Sequence, residues 1–304
     1  MINDPASKKF IFLINPISGT KPKNDLRQQI LDLALQRDKP AIVLPTVSSG
    51  DYSFVRQRIE EEGYTDVIIC GGDGTVNSVV GDLRDLPVRF GIVPMGSGNG
   101  LAFCAGIPKT PTKAIELAFT GKARFIDAFM VNSQFACMLC GLGFDAKVAH
   151  DFAQQPSRGL LTYTQQTLKN YFTATTYNFE MVVDNQVIQT ESYFISVANS
   201  NQFGNQFTIA PKASLNDGLL DVVVVPKMNK AILPIALIQQ VTKGEVTGTQ
   251  EEQSNTIQYF QTSKLQIRNR QFAPLHIDGE PRESEEVLNI KVLPRCFQLI
   301  QAQD

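Results

Sequence analysis

The sequence predicts two domains: an α/β N-terminal domain with a doubly wound, mostly parallel sheet over residues 1–125, and a β-rich antiparallel domain over residues 126–304. Three observations predict this. In the first third, apolar runs of strand length alternate with stretches of helical period. After about residue 125, short apolar segments follow one another, separated by turn residues. The 304 residues are enough for two domains with ample core.

The elements of the first domain follow in order. KFIFLIN (9–15) is a continuous apolar run, as expected of a strand covered on both faces. NDLRQQILDLALQ (24–36) puts Leu26, Ile30, Leu33 and Ala34 on one helical face, with Asn24 or Asp25 as its cap. AIVLP (41–45) is a second strand, and DYSFVRQRIEEEG (51–63) a second helix capped by Gly63. DVIIC (66–70) is a third strand, and TVNSVVGDL (75–83) starts a third helix. FGIVP (90–94) is a fourth strand. TPTKAIELAFTG (110–121) has Pro111 near a helix start and Gly121 at its end.

In the second domain FIDAFMVN, QFACMLCGL, FEMVVD, SYFISVAN, LLDVVVVP, KLQIRN and VLNIKVLP read as strands. Helical stretches are expected at about 145–172 and 229–242, and the last residues are expected to return to the first domain. A cleft between two domains is a favoured ligand site, so the active site is expected there.

Composition excludes several classes. The chain is 43% hydrophobic and 19% charged, which is globular and not disordered. A net charge of −2 gives no global pull toward nucleic acid, and none is expected as a partner. Five irregularly spaced cysteines and a poor signal-peptide pattern at the N-terminus favour a reducing, cytoplasmic setting. Apolar runs such as AILPIALI (231–238) are too short to span a bilayer, so any membrane contact is peripheral. Cys137 and Cys140 form CMLC in an apolar strand with no second pair, and read as core thiols. Neither His150 nor His276 has a metal partner in view; packing is the expectation for both, although His276 stands two residues before Asp278.

The functional signal lies in three turns. GGDGT (71–75) joins the third strand to a helix, and in open α/β sheets ligands bind beyond the carboxyl ends of the strands. Gly71, Gly72 and Gly74 permit positive φ and close approach of a ligand, and the helix N-terminus offers N–H groups to phosphate. Asp73 would repel phosphate, so it points to a bridging Mg²⁺ or to orienting the attacking group. The alternative is a tight turn with Asp73 as a helix cap. PMGSGNGLA (94–102) and NPISGTKPK (15–23) repeat the pattern after the fourth and first strands, with Lys21 and Lys23 adding charge. Three such turns on one sheet edge are hard to explain by structure alone. No GxxxxGK[ST] motif is present, and the GxGxG at 96–100 lacks the context of a dinucleotide site.

GGDGTVN, with NPISG upstream and GSGN downstream, resembles the diacylglycerol kinase catalytic family, which includes bacterial diacylglycerol kinases, related lipid kinases, sphingosine kinases and ceramide kinases. GLGFDAKV (141–148), VANSNQFGNQFTIAPKASLNDGLLDVVVV (197–225) and HIDGE (276–280) fit the same pattern in order, so the resemblance covers nearly the whole chain. It implies an ATP- and Mg²⁺-dependent lipid kinase. Asn15, Pro16, Ile17, Ser18, Gly19, Thr46, Gly71, Gly72, Asp73, Gly74, Thr75, Val76, Asn77 and Ser97 would line the ATP site. Glu280, with Asp278 beside it, would supply the acid–base carboxylates, and Asp73 would act near the transferred phosphate. Asp217 would hold a structural Mg²⁺ with the backbone carbonyls of Ser214 and Leu219. The family often forms dimers, so the resemblance carries a homodimer and a membrane lipid met by peripheral contact as the expected partners.

Phosphoryl transfer needs alignment, charge neutralisation and an acceptor for the hydroxyl proton, which these parts match. The alternative for HIDGE is a polar β-turn with exposed acids, and for NDG a type I turn without metal. The substrate stays open between diacylglycerol-like and sphingoid-like lipids. GSGNGLA is close to the sphingosine and ceramide kinase wording; GFDAKV, with Lys147, is closer to the bacterial diacylglycerol kinases. The aromatic-rich segment 151–177 suits either an acyl-chain wall or helix core. Competing classes are NAD kinase, which shares GGDG, and a catalytically silent lipid- or nucleotide-binding protein, which would not need Asp73, Asp278 and Glu280. A dinucleotide oxidoreductase lacks its GxGxxG turn after the first strand.

Overall fold

A computed structural model describes residues 8–18, 23–153, 173–201, 210–229 and 256–302. Two compact units are formed, one by Met1–Ile126 with Arg295–Asp304 and the other by Asp127–Pro294. Gly19, Lys21, the Lys23 side chain, the aromatic-rich segment over 154–172 and the expected helix beyond residue 229 lie outside the described residues.

The first unit alternates strand and helix: β1 (Phe10–Ile14), α1 (Lys23–Gln36), β2 (Ala41–Pro45), α2 (Ser53–Glu62), β3 (Asp66–Gly71), α3 (Asp73–Leu83), β4 (Arg89–Pro94), α4 (Gly100–Cys104) and α5 (Pro111–Thr120). The strand order is β2-β1-β3-β4, and every pair is parallel. Beyond β4 lies the C-terminal segment, where Gln298 and Leu299 pair in parallel with Arg89 and Phe90. All five residues of β1 are buried, as a strand covered on both faces requires. Phe119 of α5 packs edge-on against Phe10, ring centroids 4.7 Å apart, and tilted against Phe12 at 5.6 Å. Phe297 meets Phe90 at right angles, 5.7 Å away.

Several boundaries differ from expectation. Asn24 and Asp25 lie inside the first turn of α1, which begins at Lys23, so neither is its cap. α3 starts at Asp73, two residues before the expected Thr75, which places the carboxylate in the first helical turn, where the dipole favours it. Gly63 closes α2 in the left-handed conformation, φ 72° and ψ 37°. Gly121 ends α5 in extended conformation, φ −69°. It is glycine for closeness: a Cβ there would lie 2.6 Å from the Gln301 carbonyl oxygen.

The second unit is a network of antiparallel strands: β5 (Lys122–Val131, entering the unit at Asp127), β6 (Gln134–Ala136), β7 (Leu139–Gly143), α6 (Phe144–Ala153), β8 (Tyr177–Val183), β9 (Gln186–Ala198), β10 (Leu220–Pro226), β11 (Gln258–Thr262), β12 (Lys264–Arg268), β13 (Leu275–Ile277), β14 (Glu280–Arg282) and β15 (Val287–Gln301). The order β14-β13-β7-β9-β8-β12-β15 is antiparallel throughout, and β10 bridges β9 and β11. Its core gathers Phe129, Leu142, Met181, Ile195, Val222 and Ile267. The expected strand QFACMLCGL is two strands, broken at Cys137 and Met138, and β15 runs seven residues past the expected Pro294. No helix among the described residues is long and apolar enough to cross a membrane.

Candidate active site

The first candidate cluster sits at the carboxyl edge of the parallel sheet. Hydrogen bonding continues one residue past the strands there: Thr46 N–H donates to Ile14 O (3.0 Å), Asn15 N–H to Cys70 O (3.0 Å) and Met95 N–H to Gly71 O (2.9 Å). The turns after β1, β3 and β4, and Thr46 after β2, therefore share one edge. Asn15 ties two of them: its Nδ2 donates to Thr75 Oγ1 (2.8 Å), and its Oδ1 accepts the Ile17 N–H (3.0 Å). The Ser18 hydroxyl donates to Asn15 O (3.2 Å), while Ile17 itself is 89% exposed.

The other two turns meet backbone to backbone. A Cβ on Gly96 would stand 2.6 Å from the Cα of Gly72, and one on Gly71 would strike the Thr75 side chain at 2.7 Å. None of Gly71, Gly72 and Gly74 adopts positive φ, which corrects that part of the expectation; the left-handed residue is Asn99, φ 56°. Asn99 staples its own turn, Oδ1 accepting Gly96 N–H (2.8 Å) and Nδ2 donating to Gly96 O (2.7 Å). Asp73 Oδ2 accepts the Gly100 N–H at 3.1 Å, joining the N-termini of α3 and α4. The result is a small-residue ledge at the start of an eleven-residue helix, whose first N–H groups have no intrahelical acceptor. Gly74, Asn77 and Ser97 stand on this ledge as partly or fully exposed residues. Val76 does not: it is buried, and its N–H bonds Gly72 O (3.0 Å).

The second cluster belongs to the other unit. β13 and β14 form a two-residue hairpin in which Ile277 faces Glu280. Its loop, Asp278-Gly279, has φ of 49° and 80°, as a type I′ turn demands. The two acids differ sharply. Asp278 is 3% exposed, and its carboxylate accepts the N–H groups of Cys137, Met138 and Leu139, each at 2.9 Å. The Cys137 thiol also donates to it, at 3.3 Å. This corrects the reading of the turn as one with exposed acids: Asp278 is the buried anchor that interrupts the strand at Cys137. Glu280 begins β14 and is partly exposed. Cys140 is fully buried, and desolvation first, then the charges of Asp278 and Asp145, push its thiol well above the ordinary range.

The NDG turn is held differently. Asp217 is exposed, and its Oδ1 accepts Leu219 N–H at 3.0 Å. Gly218, φ 75°, donates to Asp127 Oδ2 at 2.7 Å, and the Ser214 hydroxyl donates to Asn216. Among the described residues no three His, Cys, Asp or Glu side chains come together as a metal site, so any cation at Asp217 would depend on carbonyl and water oxygens. Lys147 pairs with Asp151 at 3.7 Å, and His150 Nε2 contacts Leu275 O at 2.8 Å. A cavity of about 500 Å³ lined by Phe179, Gln189, Thr190, Arg268 and Arg270 includes none of the candidate residues.

Sequence reasoning missed Asp127, Asp145 and the structural work of Asn99. Asp127 had a signal, a lone acid inside the apolar run FIDAF. Asp145 had only its place in GFDAK, after a glycine at the end of a strand.

Two units, a parallel α/β sheet with small-residue turns at its carboxyl edge and an antiparallel β-rich unit, are the arrangement that the family comparisons match. The chain belongs to the diacylglycerol kinase family: residues 9–131 match the diacylglycerol kinase catalytic domain, and residues 139–301 match the YegS C-terminal NAD kinase beta sandwich-like domain. Two relatives are the diacylglycerol kinase of Bacillus subtilis, 27% identical with 90% of each chain covered, and a protein of Enterobacter named "Probable lipid kinase YegS-like", 29% identical with 92% and 93% covered. The crystal structure of a diacylglycerol kinase from Bacillus anthracis shares the fold, with a TM-score of 0.73 at 20% identity over 97% of both chains. The family description of the second unit also explains why NAD kinase was a near alternative: the two share a sandwich type as well as GGDG.

Proposed function

We propose that the protein is an ATP- and Mg²⁺-dependent lipid kinase that transfers the γ-phosphate to the hydroxyl of a diacylglycerol-like lipid, with a sphingoid-like lipid as the second candidate, at a membrane surface it touches peripherally. The observation that carries this is the packing of Gly72 on Gly96, knit by Asp73 to Gly100. A ledge without Cβ atoms at a helix N-terminus lets phosphate oxygens reach backbone N–H groups. The names of the relatives support a diacylglycerol-like acceptor.

In this reading Asn15 to Ser18, Thr46, Gly71 to Thr75, Asn77 and Ser97 hold the nucleotide, and the buried Val76 does not. Mg²⁺ would neutralise charge on the phosphates, with Asp73 beside it. Glu280 takes the proton of the lipid hydroxyl, because it is the accessible acid of its hairpin, whereas Asp278 spends its carboxylate on three N–H groups. Asp217, with the carbonyls of Ser214 and Leu219, would hold a structural Mg²⁺ that keeps several waters.

The test is transfer from labelled ATP with Mg²⁺ in mixed micelles to diacylglycerol, monoacylglycerol, phosphatidylglycerol, sphingosine and ceramide, with NAD as a control and Glu280→Gln as a blank. Label on one lipid, lost in the variant, is the expected result and names the substrate. Label on NAD alone, or ATP binding with no transfer to anything, overturns it.

A further inference from the structure

His276 faces Gly141 across the β13–β7 pair, and Gly141 is the reason two side chains meet above it: a Cβ there would overlap both Asp145 Oδ2 and His276 Nε2. Those two atoms lie 3.4 Å apart, in a pair whose side chains are 2% (His276) and 6% (Asp145) exposed. On the other side of the ring, the Gly279 N–H points to His276 Nδ1 at 3.3 Å. An N–H can only donate, so Nδ1 carries the lone pair and Nε2 carries the proton that faces Asp145. Asp145 is itself oriented, because its Oδ1 accepts the Ala146 N–H at 2.7 Å. The line Ala146–Asp145–His276–Gly279 ends one residue before Glu280.

We propose that Asp145 and His276 are positioning residues for Glu280: Asp145 fixes the Nε2–H tautomer of His276, whose Nδ1 then holds the Gly279 N–H and sets the direction in which the hairpin presents the Glu280 carboxylate. This rests on the reading of Glu280 as the proton acceptor. A buried carboxylate that selects a tautomer is a known device for orienting a working group. Here the oriented group is a backbone turn, Asp278-Gly279, with φ of 49° and 80°.

Asp145→Asn tests it with little change of shape. The amide oxygen keeps the Ala146 N–H, so the NH₂ faces His276 and forces Nε2 to become an acceptor. The ring proton moves to Nδ1 and opposes Gly279 N–H. Nitrogen-15 spectra of the full-length protein should show the Nε2–H tautomer in the wild type and the Nδ1–H tautomer in the variant, with the Gly279 and Glu280 amides shifted and the Gly63 amide unmoved. In the micelle assay with diacylglycerol, kcat should fall by about 10- to 100-fold at constant KM for ATP. His276→Asn, whose side-chain oxygen replaces Nδ1, should retain more kcat than His276→Gln, which replaces only Nε2. An Nδ1–H tautomer in the wild type overturns the proposal, as does a variant in which the 279–280 amides stay in place. So does an unchanged kcat in Asp145→Asn while Glu280→Gln is inactive. If Glu280→Gln is itself active, the reading of Glu280 fails instead, and the spectra still decide whether the relay exists.

Discussion

Gly72 and Gly96 touch through their backbones, so neither turn at the carboxyl edge of the first sheet can gain a side chain without moving the other. In Gly96→Ala the new methyl would lie 2.6 Å from Gly72 Cα and 3.1 Å from Asn99 Oδ1. Strain of about 1–3 kcal/mol is expected. It should appear as a raised KM for ATP and a lower melting temperature; an alanine variant with wild-type nucleotide affinity would remove the ledge from the binding site.

The two acids of the HIDGE hairpin should separate cleanly. Asp278→Ala removes the carboxylate that accepts three buried N–H groups and should cost about 3–5 kcal/mol of stability, visible in denaturant titration. Glu280→Gln should unfold like the wild type and lose about 10²- to 10⁴-fold in kcat. The reverse pattern, a stable Asp278→Ala and an unstable Glu280→Gln, would exchange their roles.

Asp221 offers a pH test. It is fully buried, with Tyr259 O–H and Gln261 Nε2 donating to it. Desolvation is the largest influence and holds its carboxyl above the ordinary value, against those hydrogen bonds. The folded state therefore keeps this proton at pH values where the unfolded chain has lost it. Unfolding releases a proton in that window, so this group's contribution makes stability fall as pH rises from the unfolded value through the raised folded one. Asp66 is raised by burial too and adds the same sign in both proteins. Asp221→Asn should make the slope of stability against pH, measured by urea unfolding across that window, more positive than in the wild type; identical slopes would show that Asp221 ionises as it does in the unfolded chain.

Gly63→Ala isolates backbone strain. Nothing lies within 4 Å of its added Cβ, and φ is 72°. The cost should be about 1 kcal/mol in chemical denaturation with no kinetic effect.

The parallel half was legible because β1, β3 and β4 are buried along almost their whole length and read as unbroken apolar runs. The three turns were legible because glycine and small polar residues stand directly behind those runs. What the glycines do was not legible. Sequence suggested positive φ at residues 71, 72 and 74, whereas the contact of Gly72 with Gly96 depends on a partner 24 residues away. The break at Cys137 was hidden for the same reason, since its cause is Asp278, 141 positions further on. The reach of β15 beyond Pro294 could not be read from a strand pattern in which a proline marks an end.

The return of the C-terminal segment beside β4 has a consequence for biosynthesis. Strands β1 to β4 are synthesised long before Gln298 and Leu299, which pair with the free edge of β4. Until then Phe90 waits without Phe297, and β4 presents a bare edge able to pair with another nascent chain. A chain truncated after Pro294 should therefore be protease-sensitive within residues 66–94, and the chain of residues 1–304 should not. The ledge of Gly72 and Gly96 is thus synthesised well before the segment that completes its sheet.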